Sequence, residues 1–390
     1  MTDSFDVVVV GARVAGASTA MLLARSGYQV LAIDREELPS DTVSTHAILR
    51  SGVLQLDRWG LLDRVIDSGA PPVKEIRLGF GADRIDFEVR AEHGISELYA
   101  PRRHLLDRIL LDAAREAGAQ FRGATRMVDL TRDDAGRVTG IEAEHGGTRH
   151  QISARMVIGA DGVWSRVAKF AGAETHHGHP PTNAVHYAYF EGIEWPGFWF
   201  QFTPGVNAGI IATNDGLSCV FVGRPRDQMP RFSGDPDKEF HRLLGLAAPE
   251  LAALAANGSR VTPFRGTTGL PGFVKRAHGP GWALVGDAGY TKDPISAHGI
   301  SDALRDAEIC TRAVDRALCD PADAHEAMMA YQDVRDELSA AIFRESEALA
   351  RYQWGPDEAS RRMRIVSEAV KAECEFLRRL PTWAGQPQLV

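Results

Sequence analysis

Residues 6–16 read Asp6-Val7-Val8-Val9-Val10-Gly11-Ala12-Arg13-Val14-Ala15-Gly16, and the fold follows from this stretch. Val7 to Val10 is a continuous β-branched run, which predicts a strand buried on both faces of a parallel sheet. Gly11 to Gly16 breaks it, and Ala17 to Arg25 reads as a helix closed by Gly27. Tyr28 to Asp34 returns to a strand. The opening 34 residues are therefore a βαβ unit with a glycine-bearing turn. Such a turn offers a pyrophosphate backbone N–H groups and the positive end of a helix dipole, and close approach favours residues without a Cβ. Gly11, Ala15 and Gly16 belong to that turn. Arg13 stands where G-x-G-x-x-G has its middle glycine, and either points outward or adds charge near the phosphates. Asp34 lies 23 positions after Gly11, where an acidic side chain accepts hydrogen bonds from a ribose 2′-OH. Arg35, beside it, joins the expected cofactor-binding set. The unit alone does not separate NAD from FAD.

Outward from this unit, residues 46–69 and 105–117 read as helices and 76–89 as a hairpin with Gly79 and Gly81 near its turn. Strands are expected between 121 and 158, turning at Asp133-Asp134-Ala135-Gly136. From 181 to 274 helical periodicity fades while aromatic and β-branched residues rise, which predicts a mostly antiparallel sheet. A strand at 282–286 and a helix over 299–317 follow. The segment 324–380 is helix-forming and divided near Pro356. The fold class is α/β: a Rossmann-like domain (parallel sheet with a βαβ unit), an antiparallel-sheet substrate domain, and C-terminal helices. The expected boundaries are 1–72, 98–180 and 275–322 for the dinucleotide domain, 73–97 and 181–274 for the sheet domain, and 323–390 for the helical extension.

Bulk properties narrow the function. At 390 residues the chain is long enough for two or three cores. A net charge of −8 argues against nucleic acid or an anionic membrane surface as the main partner. Cys219, Cys310, Cys319 and Cys374 form no CxxC pair and no zinc spacing, so no metal site is expected and a reducing cytoplasm suits them. No apolar run reaches the ~20 residues of a membrane span, and a strand-like run starts too early for a signal peptide. A soluble cytoplasmic protein is expected.

Two later segments carry a resemblance. Val157-Ile158-Gly159-Ala160-Asp161-Gly162-Val163-Trp164-Ser165-Arg166-Val167 resembles the G-A-D-G-x-x-S-x-V segment of the group A flavoprotein monooxygenases, the para-hydroxybenzoate hydroxylase-like enzymes. Leu284-Val285-Gly286-Asp287-Ala288, followed by Asp293-Pro294 and Gly299-Ile300, resembles that family's second flavin motif. With the N-terminal turn, the three patterns occur in the family's order, and the likeness runs from residue 6 to about 317. The resemblance implies FAD as cofactor, NAD(P)H as a transient co-substrate and O2 as oxidant. It implies that Asp287, after Gly286, bonds the ribityl chain. The helix starting at Gly299 and Ile300 would aim its N–H groups at the flavin's pyrimidine edge, where reduced flavin carries negative charge. Pro294 would lie beside the ring, near where dioxygen reacts. Asp161 would help hold the ring-bearing domain and the nicotinamide's entry path. An Arg heads the helix before the meander in the family, and Arg102 and Arg103 both fit, with Arg103 preferred; Arg50 is a further candidate by position.

The chain departs from the pattern at the P-x-x-G-x-G loop, which reads Pro294-Ile295-Ser296-Ala297-His298-Gly299. Ala297 carries a Cβ that penalises φ > 0. His298 would lie close to the flavin, to tune the ring or an oxygen intermediate, or would cap the helix. His46, after Ser44-Thr45, is a candidate contact to flavin or substrate, with helix capping by Ser44 or Thr45 as the alternative. His298, Pro294 and His46 are the expected catalytic set. His176-His177-Gly178-His179 fits no standard ligand set and reads as a polar surface loop. The aromatic run 195–202 predicts alternating faces, one in the core and one along a pocket for a flat hydrophobic small molecule. Hydroxylation of an aromatic or polycyclic substrate is the leading expectation. A flavin-dependent reductase of the geranylgeranyl-reductase type is the first rival. A halogenase lacks its W-x-W-x-I-P motif here, with Lys74 as thin support, and a flavin-holding protein without turnover is the non-enzymatic alternative. Oligomeric state is open.

Overall fold

The computed structural model describes residues 3–229 and 235–383. Strand β1 (Asp3–Val10), helix α1 (Val14–Arg25) and strand β2 (Val30–Ile33) form the expected βαβ unit. Val7 to Val10 and all of β2 are buried, as the unbroken apolar runs require. The stretch expected as one helix over 46–69 is two, α2 (Arg50–Arg58) and α3 (Leu62–Asp67), parted at Gly60, whose φ is 70°. The hairpin is β3 (Glu75–Phe80) and β4 (Asp83–Glu88), turning through Gly81. Helix α4 (Arg103–Glu116) leads into β5 (Gln120–Arg122), β6 (Thr125–Arg132), β7 (Val138–His145) and β8 (Thr148–Gly159). The short helix α5 (Arg166–Ala171) precedes β9 (Thr175–His179). The histidine stretch expected as a loop is thus a strand, although largely exposed.

Strands β10 (Asn183–Glu191), β11 (Phe198–Thr203), β12 (Val206–Ala212) and β13 (Ser218–Pro225) follow. Helices α6 (Pro236–Ala247) and α7 (Pro249–Ala256) interrupt the region expected as sheet alone. Short strands then run from β14 (Ser259–Arg260) and β15 (Arg265–Thr267) to β16 (Gly272–Lys275), β17 (His278–Gly279), β18 (Trp282–Leu284) and β19 (Tyr290–Thr291). Three long helices end the described chain: α8 (Gly299–Cys319), α9 (Ala324–Ala350) and α10 (Pro356–Arg379). Pro356 opens α10, where a missing N–H costs nothing.

The first sheet runs β17-β18-β8-β1-β2-β5, parallel from β18 to β5, with β7 and β6 added antiparallel to β8. The second runs β14-β10-β13-β12-β11-β3-β4, with β15 beside β10; it is antiparallel except for the parallel β3–β11 pair. A third, three-stranded sheet joins β19, β16 and β9. Alternation on the second sheet divides its side chains as a period of two dictates. Ala188, Phe190, Trp199, Ile210, Val220 and Val222 pack with Phe240, Leu243, Leu244 and Leu251 of α6 and α7. Tyr187, Tyr189, Phe198, Ile211, Cys219 and Phe221 face the other way, into one core with α1, α2, α4 and α8. The aromatic run therefore shows two faces, but both are packed into cores and, among the described residues, none of its members lines a pocket, so the expected pocket face is corrected. Among the described residues, no helix is long and apolar enough to cross a membrane.

Candidate active site

The three motifs converge on one cleft of about 510 Å³. The turn after β1, the end of β2, segment 42–47, the start of β6, residues 160–166 and the 287–303 stretch all line it. In a doubly wound sheet this is the crevice at the carboxyl ends of parallel strands, where ligands bind.

The turn after β1 has its shape because two glycines allow it. Gly11 sits at φ 95°, and a Cβ there would come 2.4 Å from the Ala160 carbonyl oxygen. A Cβ on Gly16 would stand 1.8 Å from the Gly11 carbonyl oxygen. The turn therefore brings the N-terminus of α1 directly to the cleft. Asp34 also takes part. Its carboxylate accepts from the Ala12 N–H (2.9 Å) and the Glu36 N–H (2.9 Å), so it braces the turn while lining the cleft with acceptor sites to spare. Arg35 is exposed at the cleft edge. Arg13 does not point outward: it donates to the Ser40 carbonyl and hydroxyl oxygens and to Asp107.

Arg103 opens α4 and lines the cleft, paired with Asp107 one turn on. Arg102 leaves the cleft to others. It pairs with Asp41 at 3.0 Å, and its guanidinium lies 4.3 Å over the Tyr189 ring. Arg50 corrects an expectation. It donates to the Ile95 and Arg90 carbonyl oxygens and does not line the cleft, so it ties down the 90–95 loop.

Asp161 lines the cleft, yet its oxygens are committed to the start of α5. Oδ1 accepts from the Ser165 hydroxyl at 2.5 Å, and Oδ2 accepts from the Arg166 and Val167 N–H groups. Ser165 caps the helix by accepting from the Ala168 N–H. The motif's Asp and Ser thus serve each other and the helix end.

Asp287 is the contrary case. It is open to the cleft and, among the described residues, its carboxylate has no hydrogen-bond partner. Enclosure by protein on its other sides pushes its carboxyl up, against the pull of Lys292 and Arg103. Gly286, at φ 54°, lies where a Cβ would press on the Ala15 Cβ at 3.0 Å, so this second turn packs against the first.

The loop between β19 and α8 is stretched. Asp293 accepts from the Ile295 N–H at 3.0 Å, starting a tight turn at Pro294. Ala297 adopts φ 52°, ψ 31°, the left-handed conformation its Cβ disfavours. Pro294, Ala297, Gly299 and Ile300 line the cleft, and the N-terminus of α8 opens onto it. His298 does not. It is fully buried behind the loop, with Nδ1 3.0 Å from Asp302 and Nε2 3.3 Å from Glu373 of α10. Burial, with Lys292 and Arg305, holds it well below its usual range and neutral. The catalytic reading of His298 fails, because it does not line the cleft; it does hold the N-cap position of α8, without a capping hydrogen bond from its side chain. The cluster His298, Asp302 and Glu373 has metal-ligand proximity. Lys292 and Arg305 already meet Asp302, and Arg305 also meets Glu373, so two fixed cations supply the positive charge.

Several residues escaped the reading of the chain. Asp107 draws Arg13 and Arg103 together; its signal was an Arg–Asp pair four apart at a helix start. Lys292 is buried in the cleft wall, its ammonium held by Asp302 and pushed down to about 7 by burial. Asp293 is linked to Asn183 of β10 at 3.0 Å, and burial raises it to about 7. Their partners are 10 and 110 residues away, beyond any local pattern.

The cleft fits a flavin dinucleotide on its own evidence. It has glycine-permitted access to one helix N-terminus, a second helix N-terminus at its far end, a cation in Arg103, and one unpartnered carboxylate between them in Asp287.

Comparison with known proteins agrees. A family model described as FAD binding domain matches residues 4–346. The digeranylgeranylglycerophospholipid reductase of Methanothrix thermoacetophila is 30% identical over 342 residues, covering 84% of this chain and 82% of that one. The menaquinone reductase of Mycolicibacterium smegmatis is 29% identical over 335 residues, covering 78% and 75%. Among solved structures, a triple mutant of a flavin-dependent brominase superposes with a TM-score of 0.81 at 18% identity, covering 95% of each chain, a likeness of fold. The chain belongs to the FAD binding domain family and is an FAD-dependent oxidoreductase.

Proposed function

We propose that this chain is an FAD-dependent reductase that saturates a carbon–carbon double bond in an apolar, isoprenoid-bearing small molecule, with NAD(P)H as the source of electrons. The observation that carries this reading is likeness along three quarters or more of both chains to enzymes named as reductases of menaquinone and of digeranylgeranylglycerophospholipid. This reverses the order of the two leading expectations drawn from the motifs.

When bound, FAD supplies the two-electron chemistry. The chain's own residues bind and orient. The α1 N-terminus and Arg103 hold phosphate charge, Asp287 accepts from ribityl hydroxyls, and the α8 N-terminus stabilises negative charge at the ring end. Pro294 and Ala297 form the wall beside the ring. The inward face of the second sheet, with Tyr187, Phe198, Ile211 and Phe221, is buried in the same core as Ala47 and Ala303, which line the cleft.

A second reading keeps hydroxylation of an aromatic or polycyclic substrate with O2. It is favoured by the motif resemblance of residues 157–167 and 284–300. One experiment separates the two. The FAD-loaded protein, reduced without air, is given a short-tailed menaquinone, and the product mass is measured. Gain of two hydrogens that survives reoxidation of the quinol ring to the quinone in air supports the reductase. A product formed only in air and carrying labelled oxygen from O2 supports hydroxylation.

A further inference from the structure

His46 carries features that the reading above does not use. It is 1% exposed, lines the cleft beside Arg103, and holds a left-handed backbone at φ 68°. Such a conformation costs a non-glycine residue about 1–3 kcal/mol and persists only where its surroundings impose it. Here the Ser44 hydroxyl accepts from the His46 N–H at 3.0 Å. The imidazole lies nearly parallel to the Tyr189 ring, at 14° and 5.6 Å between centroids, with Nε2 hydrogen-bonded to the tyrosine Oη. Arg102 packs over the ring of that tyrosine, 4.3 Å from its centroid. The other ring nitrogen, Nδ1, is buried and, among the described residues, has no hydrogen-bond partner.

Burial, and after it the Arg103 guanidinium, push the imidazole down to about 3, so it is neutral and carries one N–H. Counting donors decides where that hydrogen sits. With it on Nε2, the tyrosine hydroxyl hydrogen and the Nδ1 lone pair are both left unmatched. With Tyr189 donating to Nε2, only the Nδ1–H lacks a partner. One orphan is cheaper than two, at about 1–3 kcal/mol each, so the second arrangement holds. Among the described residues no acceptor lies within hydrogen-bond distance of this nitrogen, and His46 lines the cleft.

We propose that Tyr189 and His46 act as one fixed donor, in which Tyr189 sets the tautomer and the His46 Nδ1–H donates a hydrogen bond to an acceptor atom on the ring end of the bound flavin. Tyr189 is then a positioning residue, acting through His46. This rests on the assignment of the cleft to FAD.

The test uses FAD itself, titrated into the cofactor-free full chain while flavin fluorescence and the visible bands are followed. His46→Ala weakens FAD by about tenfold, the loss of one hydrogen bond to a polar ring atom, and shifts the flavin bands. Tyr189→Phe shifts them in the same direction with a smaller loss. His46→Asn, whose amide offers a donor near the position of Nδ1, recovers most of the affinity. The Tyr189→Phe/His46→Ala double variant is no worse than His46→Ala alone, as a single coupled unit requires. Wild-type affinity and spectrum in all of these variants overturn the proposal, even if turnover falls, since that places the acceptor on the substrate. Additive losses overturn the coupling of Tyr189 to His46. Should His46→Ala not fold, the Tyr189→Phe spectrum and His46→Asn decide. A wild-type chain that takes up no FAD fails the cofactor assignment instead.

Discussion

The Asp107 carboxylate grips the Arg103 guanidinium one helical turn before it, with Nη2 3.0 Å from Oδ1 and 3.2 Å from Oδ2. Its Oδ2 also accepts from Arg13 at 3.2 Å, so one buried carboxylate orients two cations from separate elements. Paired in this way, Arg103 is held at the cleft wall rather than sampling solvent, and less conformational freedom is lost when an anion binds.

Removing that grip is expected to loosen FAD without unfolding the chain. Asp107→Ala should raise the Kd for FAD about tenfold, a loss of ~1.4 kcal/mol, and Asp107→Asn by less. A fluorescence titration of the cofactor-free protein measures both. Unchanged affinity would mean that neither arginine serves the cofactor.

His298 gives a second prediction because it stands behind the loop. His298→Asn should leave the FAD affinity and visible spectrum as in the wild type. It should lower stability by about 2 kcal/mol, since Asp302 and Glu373 lose a buried partner. Thermal unfolding paired with an absorbance spectrum checks this. A shifted flavin spectrum at full stability would return His298 to the ring.

Asp293 makes stability depend on pH. Burial raises its carboxyl to about 7 from an ordinary 3.8, while the Asn183 and Ile295 hydrogen bonds pull the other way. The folded chain therefore keeps a proton there that the unfolded chain has already released between those values. That contribution is complete below the lower value and is lost as pH rises to about 7, by up to ~1.4 kcal/mol per unit. Asp293→Asn keeps the carbonyl acceptor and cannot ionise. Relative to wild type it should gain about 2 kcal/mol between pH 5 and pH 7, and no more above that. Denaturant unfolding across the range measures the difference, and a constant difference would contradict a raised carboxyl.

How far the chain could be read in advance follows from the range of each interaction. The βαβ unit was legible because Val7 to Val10 and the two glycines act locally. The site's backbone was legible for the same reason: Gly11, Gly286, Pro294 and Gly299 mark turns and helix starts. Helices α6 and α7 were overlooked although their signals were present. Asp235 caps α6, Pro236 opens it, and Phe240, Leu243, Leu244 and Ala247 keep helical spacing. The strands around them masked a short helical pattern. Side-chain assignments at Arg50 and His298 went astray for another reason. Each side chain has competing partners, and the winner is set by folding: the Ile95 carbonyl for Arg50, Glu373 for His298. Ala297 was read only as a departure whose Cβ penalises positive φ, and the structure shows the chain adopting φ 52° there all the same.

The central claim is that FAD sits in the cleft formed by the turn after β1, the Asp287 turn and the α8 N-terminus. Its most direct test is the stoichiometry of FAD uptake by the wild-type chain and by Gly16→Ala, whose added Cβ would collide with the Gly11 carbonyl oxygen. One FAD per wild-type chain, and little or none in a folded Gly16→Ala variant, is the predicted result. No uptake by the wild type, or equal uptake by a folded Gly16→Ala chain, would contradict it.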